Sequence, residues 1–118
     1  MSKQDLKSIY TPAVNREIEH AFEDLMAAIR FPLKEEDKAL LIKALAIAKD
    51  AHKHQARKSG EAYIFHPIAV AKIVAEEIEL GPLAIATGLI HDVVEDSDDY
   101  NLQDIERLFG PRMRKIID

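Results

Sequence analysis

Cysteine, long apolar runs and an excess of positive charge are all absent from this 118-residue chain. Without cysteine there is no disulfide framework and no thiolate zinc site, which fits a reducing compartment. No stretch approaches the ~20 consecutive apolar residues that cross a bilayer, because charged residues such as Lys49 and Lys72 interrupt the longest ones. The N-terminus lacks the apolar segment of a signal peptide. We therefore expect a cytoplasmic protein with no membrane partner.

The charge balance is acidic, with a formal net charge of −5. An acidic chain is a poor general binder of nucleic acid, whose phosphates dominate affinity. We therefore expect no nucleic-acid partner. An anionic small ligand would need a basic segment or a metal ion to offset the repulsion, and the sequence contains candidates for both.

Apolar residues recur at helical spacing along the chain, and no segment shows convincing strand alternation. We predict an all-α bundle of five or six helices in a single domain over residues 1–118, with an N-terminal helix within 1–33 and a core within 34–118. The predicted helices begin near Thr11, Glu35, His66, Leu83, Asn101 and Arg112. The second runs toward Gln55, and the fourth continues without interruption to about Asp96.

The last predicted helix stops at Asp118, within two turns. An independent helix this short is unusual, so we expect the chain to be a fragment, incomplete at its C-terminus. A missing helix would leave apolar surface uncovered, through which a homodimer could form.

The run from His91 to Asp96 reads HDVVED and interrupts an otherwise apolar stretch. His91 and Asp92 can offer an imidazole nitrogen and a carboxylate oxygen to one metal ion, and His66, at a predicted helix entrance, can supply a third ligand. The alternative is a partly buried histidine beside a surface aspartate, with His66 capping its helix. Because the three residues occur together, we favour a metal site.

Two carboxylates, Glu95 and Asp96, close this run. They can exchange protons with water and a leaving group. The alternative is a solvated acidic helix end. Negative charge at the C-terminal end of a helix opposes the helix dipole, and this unfavourable placement favours a functional role for the two residues.

A basic loop, Arg57-Lys58-Ser59-Gly60, lies before His66. Arginine can stack on a flat base and bind phosphate through two nitrogens, although an ordinary solvated loop would have the same composition. The remaining histidines are not expected to be ligands. His20 should face solvent, and either His52 or His54 could support the site from behind.

Two motifs occur in a specific order and at a specific distance from each other along the chain. The first reads AHKHQARKSGEAYIFHP from Ala51 to Pro67, and the second is HDVVED. Together with the later Phe109-Gly110, they resemble the N-terminal hydrolase domain of the bacterial RelA/SpoT stringent-response proteins, from about Leu40 to Asp118. That domain belongs to the HD superfamily of metal-dependent phosphohydrolases.

The resemblance implies a role for each candidate residue. His66, His91 and Asp92 match three ligands of one divalent metal, usually Mn²⁺. Glu95 and Asp96 match an acidic pair that activates the nucleophilic water. The loop residues match contacts to the guanine end of the substrate: Arg57, Lys58 and Ser59. The implied reaction removes pyrophosphate from the ribose 3′ position of (p)ppGpp and leaves GDP or GTP.

The main departure from the family pattern concerns a fourth metal ligand, an aspartate on a later helix, which has no matching position here. Asp104 and Asp118 do not match this ligand, because the residues around them differ from those of the family motif. The synthetase and regulatory domains of the long members do not follow either, so we expect the fragment itself to be weakly active or inactive. Two alternatives stay open: an HD module that binds or regulates without hydrolysis, and an HD phosphohydrolase acting on another nucleotide.

Overall fold

A computed structural model describes residues 9–77 and 81–118 of the chain. The regular elements that these residues form are all helices, which confirms the all-α class. The seven helices described are α1 (Pro12–Ala28), α2 (Glu35–Ala51), α3 (Phe65–Glu77), α4 (Pro82–Ile90), α5 (Val93–Asp96), α6 (Leu102–Phe109) and α7 (Pro111–Ile117). Outside them, the described ranges contain one isolated β-bridge, between Ala56 and Ala62. None of these helices is both long and apolar enough to span a bilayer.

Helix α1 begins as the sequence predicts. The Thr11 hydroxyl accepts a hydrogen bond from the Val14 amide at 3.1 Å, and Pro12 occupies the first turn, where its missing N–H costs nothing. The helix buries Ile18 and Leu25 in the same apolar core that the later helices share. The core thus reaches from the first helix to the site-bearing ones.

Helix α4 lies at the centre of the core, and most of its side chains are buried. The buried set is Ile85, Ala86, Gly88, Leu89 and Ile90. Gly88 lets α3 approach closely, since a Cβ atom at this position would lie 3.1 Å from the Cα of Ala71. Because α3 begins beside His66 and α4 ends beside His91, this close packing brings the two histidines to the same end of the helix pair.

The prediction of one uninterrupted helix from Leu83 to Asp96 is wrong. Helix α4 ends at Ile90, and His91 and Asp92 form a turn before α5 begins. Asp92 has φ −95° and ψ −1°, a conformation that opens the helical turn locally. The amide of Asp96 still bonds to the Asp92 carbonyl at 2.9 Å, so the helical path resumes at once. The bend therefore falls at the two candidate ligands themselves.

The second predicted helix also ends early, at Ala51 rather than near Gln55. His52 follows it with φ −103° and ψ 15°, and the amide of Gln55 bonds to the His52 carbonyl at 3.0 Å in a turn. This turn carries the chain from α2 toward the basic loop and the start of α3.

Candidate metal centre

The described residues contain one group of side chains arranged to hold a metal ion, and it comprises His66, His91 and Asp92. Each offers one ligand atom, and these atoms all lie within 4.8 Å of one another. Oδ2 of Asp92 is 3.1 Å from Nε2 of His91 and 3.8 Å from Nε2 of His66. The fold thus brings together the three residues that the sequence motifs predict as ligands.

The donor atoms suit a divalent cation by spacing and by type. Ligands about 2.1 Å from a common cation lie about 3 to 4 Å apart, which matches these separations. Imidazole nitrogens with a carboxylate oxygen form a donor set typical of transition metals. The side chains of both histidines are 34% exposed and that of Asp92 is 17% exposed, so the group opens to solvent.

The tautomer of His91 is set by the end of α4. Its Nδ1 lies 2.7 Å from the carbonyl oxygen of Gly88, and a carbonyl can only accept, so Nδ1 donates. In the neutral imidazole, the Nε2 lone pair then faces Oδ2 of Asp92. Two acceptors this close repel each other unless a cation or a proton lies between them. A hydrogen bond from the other ring nitrogen to a backbone carbonyl, as from Nδ1 to Gly88 here, commonly orients a metal-binding histidine.

Tyr63 supports the aspartate. Its hydroxyl donates to Oδ2 of Asp92 at 2.8 Å, the same oxygen that faces both histidines. Burial raises the pKa of Tyr63 above its usual value, and the hydrogen bond and negative charge of Asp92 and the nearby Asp96 raise it further. The phenol therefore keeps its proton and remains a donor. Sequence reasoning missed this role, although Tyr63 stands three residues before His66 in the first motif.

The two acidic residues of α5 lie beside this group, and both side chains are exposed. Glu95 and His91 line a common cavity of about 270 Å³. Asp96 lies near enough to Tyr63 to affect its pKa. Both carboxylates are thus close to the candidate ligands and accessible to solvent.

The basic loop forms a separate cleft that Tyr63 also lines. Arg57, Lys58 and Ser59 line this cleft of about 590 Å³ together with Ala56 and Tyr63. The loop turns tightly: the amide of Gly60 bonds to the Arg57 carbonyl at 2.8 Å, and Gly60 adopts φ +90°, which glycine accepts without strain. Tyr63 therefore belongs to both the basic cleft and the metal-ligand group.

Comparisons with known proteins agree with this arrangement. A family model described as "HD domain" matches residues 44–118. This chain belongs to the HD-domain family. The putative GTP diphosphokinase RSH1 of rice chloroplasts is 43% identical over 100 residues, covering 85% of this chain and 11% of that protein. The bifunctional (p)ppGpp synthase/hydrolase SpoT of Escherichia coli K12 is 40% identical over 99 residues, covering 84% of this chain and 14% of that protein.

The HD domain thus resembles the RelA/SpoT proteins over most of its described length, as the motifs predict. A third relative, from Streptomyces coelicolor, is named a GTP pyrophosphokinase and is 42% identical over 76 residues, which cover 64% of this chain and 9% of that protein. The chain spans only 9–14% of the length of these relatives. HD domains depend on metals, and the His66–His91–Asp92 group of this one could bind a metal.

The other histidines of the HD domain lie outside the candidate ligand group of the described residues. His20 and His54 are exposed. His52 is completely buried, and its ring centroid lies 4.7 Å from that of Tyr63. His52 therefore contacts Tyr63, the residue that donates to Asp92, and its supporting role stays a prediction.

Neither Asp104 nor Asp118 joins the metal-ligand group. Asp104 accepts a hydrogen bond from the Asn101 amide, and this bond and Arg107 lower the pKa of its carboxyl group. It therefore serves the start of α6. Asp118 lines the cavity beside His91 and Glu95, but its carboxylate is not among the atoms within 4.8 Å of one another.

Proposed function

We propose that this HD domain is part of a metal-dependent guanosine-3′,5′-bis(diphosphate) 3′-pyrophosphohydrolase. The reaction removes pyrophosphate from the ribose 3′ position of (p)ppGpp and leaves GDP or GTP. One observation carries the proposal: a metal-ligand group and a basic cleft share a side chain, Tyr63. The names of two relatives add support. SpoT is a bifunctional (p)ppGpp synthase/hydrolase, and a relative from Vibrio cholerae is a guanosine-3′,5′-bis(diphosphate) 3′-pyrophosphohydrolase. The Vibrio protein is 36% identical over 99 residues, which cover 84% of this chain and 14% of that protein.

We infer that His66, His91 and Asp92 hold one divalent cation, which we propose to be Mn²⁺. Such a cation supplies Lewis-acid stabilisation of charge on phosphate oxygens. The protein orients the donors through the Gly88 carbonyl and the Tyr63 hydroxyl. A fourth protein ligand outside the present chain stays a prediction, as does the assignment of residues 1–118 to one domain.

Glu95 and Asp96 are proposed as the catalytic acids and bases. An attacking water must lose a proton, and the leaving group is helped by receiving one. Exposed carboxylates beside the ligand group can do both, because solvent protons reach them. The attack forms a bond between the water oxygen and the first 3′ phosphorus, and the bond from that phosphorus to the ribose 3′ oxygen breaks.

The basic loop is proposed to bind the nucleotide. The net charge of −5 repels a polyphosphate at long range, so favourable charge must be supplied locally. Arg57 can stack on guanine or bind phosphate, Lys58 contributes a point charge, and Ser59 offers a hydroxyl. All three residues are exposed and line the cleft.

The decisive experiment measures pyrophosphate release from ppGpp by the protein at its natural full length. We expect release that needs Mn²⁺, stops with a chelator and is lost in Asp92→Ala. Asp104→Ala is the matched control, because the carboxylate of Asp104 bonds to Asn101 and Arg107 of α6 and its cap, and it should keep the activity. A rate that ignores chelators, or that survives Asp92→Ala, would contradict the proposal.

Two further measurements separate the alternatives. Calorimetric titration with Mn²⁺ should show one specific site, whereas an HD module without metal chemistry would show none. A panel of dNTPs, cyclic dinucleotides and ppGpp tests the substrate class. Preference for another nucleotide would retain the metal site and reject the guanosine assignment.

Assembly and location remain proposals. An apolar groove of about 500 Å³ between α3, α4 and α7 includes Val70, Leu83 and Ile116, and Ile116 is 51% exposed. We propose that this surface supports a homodimer of the present chain, which sedimentation would detect and Ile116→Glu would abolish.

We also propose a cytoplasmic location. Because the RSH1 relatives are chloroplastic, this location needs a direct test by cell fractionation.

A further inference from the structure

We propose that Gln55 and His52 are positioning residues that fix the acidic helix α5 relative to the metal-ligand group. This inference rests on the proposed function, because it assigns the pair a part in setting Glu95 and Asp96 for catalysis. Neither residue touches the reacting atoms in this assignment. They act through the short helix that carries the carboxylates.

Gln55 connects three separate segments. Its side-chain amide donates to the backbone carbonyl of Asp96, at the end of α5. Its side-chain carbonyl faces Nδ1 of His52 at 2.5 Å, and its backbone carbonyl accepts from the amide of Tyr63 at 2.9 Å. The residue thus joins the end of α2, the segment before α3 and the end of α5.

These bonds determine the tautomer of His52. A backbone carbonyl can only accept, so the NH₂ group of Gln55 must face Asp96 and its oxygen must face His52. Nδ1 of His52 therefore carries the proton and donates it to Gln55. The hydrogen-bond direction runs from His52 through Gln55 to Asp96.

His52 is an unfavourable residue for packing alone. Its side chain is completely buried, and Nε2 has no hydrogen-bond partner among the described residues. A buried polar atom without a partner destabilises the folded state, and an apolar side chain would fill the same space without that cost. The useful feature of the imidazole at this position is therefore the Nδ1 hydrogen given to Gln55.

Helix α5 needs such support because it has only four residues, Val93–Asp96. A helix this short has no stability of its own and takes its position from its contacts. Its start follows Asp92, which Tyr63 holds through a 2.8 Å bond, and its end is held by Gln55. The ring of Tyr63 packs against that of His52, so both ends of α5 depend on one connected unit.

The first test compares variants of the protein at its natural full length. Gln55→Leu and the near-isosteric Gln55→Glu both lose the donor to Asp96, and we expect kcat for ppGpp to fall about 10- to 100-fold. KM and Mn²⁺ affinity should stay within about twofold of wild type, because the ligands and the basic loop are untouched. Gln103→Leu, on the exposed face of α6, is the matched control and should keep full activity.

His52 variants separate positioning from packing. His52→Leu should lower kcat as Gln55→Leu does, while its melting temperature is equal to or higher than that of wild type. His52→Asn should restore most of the activity, because the asparagine NH₂ group can take the place of the Nδ1 donor. A wild-type kcat in both Gln55→Glu and His52→Leu would overturn the proposal, as would an equal loss of metal affinity and kcat in all variants.

A second readout does not depend on activity. Nitrogen-15 NMR of the histidine rings in the metal-free 118-residue chain should show His52 as the Nδ1–H tautomer, with slow exchange of that hydrogen that becomes fast in Gln55→Leu. An Nε2–H tautomer would overturn the inference. If the wild-type protein releases no pyrophosphate, the proposed function fails, and the NMR result still decides whether the His52–Gln55 connection exists.

Discussion

The hydroxyl of Tyr63 and the carboxylate of Asp92 are joined by a 2.8 Å hydrogen bond, although 29 positions separate them in the chain. The accepting oxygen is the one that lies 3.1 Å from Nε2 of His91. Tyr63 therefore stands directly behind the oxygen best placed to bind a cation. Outer contacts of this kind orient ligands and tune affinity for the metal.

Removing that hydroxyl should weaken metal binding. We expect Tyr63→Phe to lower Mn²⁺ affinity about 10- to 100-fold, because the ring stays in place but Asp92 loses the donor that orients it. Calorimetric titration measures the change directly. Tyr100→Phe is the matched control, since its hydroxyl bonds to Asp50 instead, and it should bind metal as wild type does.

The basic loop should affect substrate binding more than the chemical step. We expect Arg57→Ala to raise KM for ppGpp more than it lowers kcat, because the loop binds the nucleotide away from the reacting phosphorus. Arg16→Ala, which removes an exposed arginine of α1, changes the net charge equally and should leave both constants unchanged. If kcat collapses in Arg57→Ala while KM stays constant, the loop has been given the wrong role.

The close packing of α3 and α4 should make Gly88 intolerant of larger side chains. Gly88→Val places branched methyl groups against Ala71, and overpacking of this kind costs about 1 to 3 kcal/mol. Urea unfolding measures the loss, with Ala46→Val in α2 as a control that places a valine on an exposed helix face. Gly88→Ala should cost less, because its gain in helix propensity offsets part of the strain.

Tyrosine ionisation should limit stability in alkali. Burial is the main cause that raises the pKa values of Tyr10, Tyr63 and Tyr100 above their ordinary value, and nearby aspartates raise them further. Above about pH 10, unfolded chains release phenolic protons that folded chains still hold. The folded state then binds more protons than the unfolded state, so the free energy of unfolding falls as pH rises.

Urea unfolding between about pH 9 and pH 11 tests this dependence. Tyr100→Phe removes one contributor, and its stability should fall less steeply with pH than that of wild type. Equal slopes for the two proteins would show that the pKa of Tyr100 is not raised in the folded state. Lysine titration affects both proteins alike and cancels in the comparison.

Sequence pattern predicts the parts of the fold that depend on local interactions. The Thr11 cap and the helical spacing around Ile18 and Leu25 need no knowledge of the rest of the chain. The bend at His91 and Asp92 is not predictable in this way, because neither proline nor glycine stands between Leu89 and Asp96 to mark it. At this bend Asp92 accepts the bond from Tyr63, which joins distant parts of the chain.

The same distinction holds for the site. The donor types of His66, His91 and Asp92 indicate a metal from sequence alone, and the fold brings them within reach of one cation. Gln55 gives no chemical signal, because glutamine is common on surfaces and its partner Asp96 lies 41 positions away. Roles that depend on such distant contacts cannot be derived from spacing along the chain.

The position of the bend between α4 and α5 constrains how this sequence can vary. One residue added or removed within Pro82–Ile90 would rotate His91 about 100° around the helix axis and point it away from His66. Length changes beside the exposed Asp98 and Asp99 leave that geometry untouched. Insertions and deletions should therefore be purged from α4 during evolution and accumulate just after Ser97.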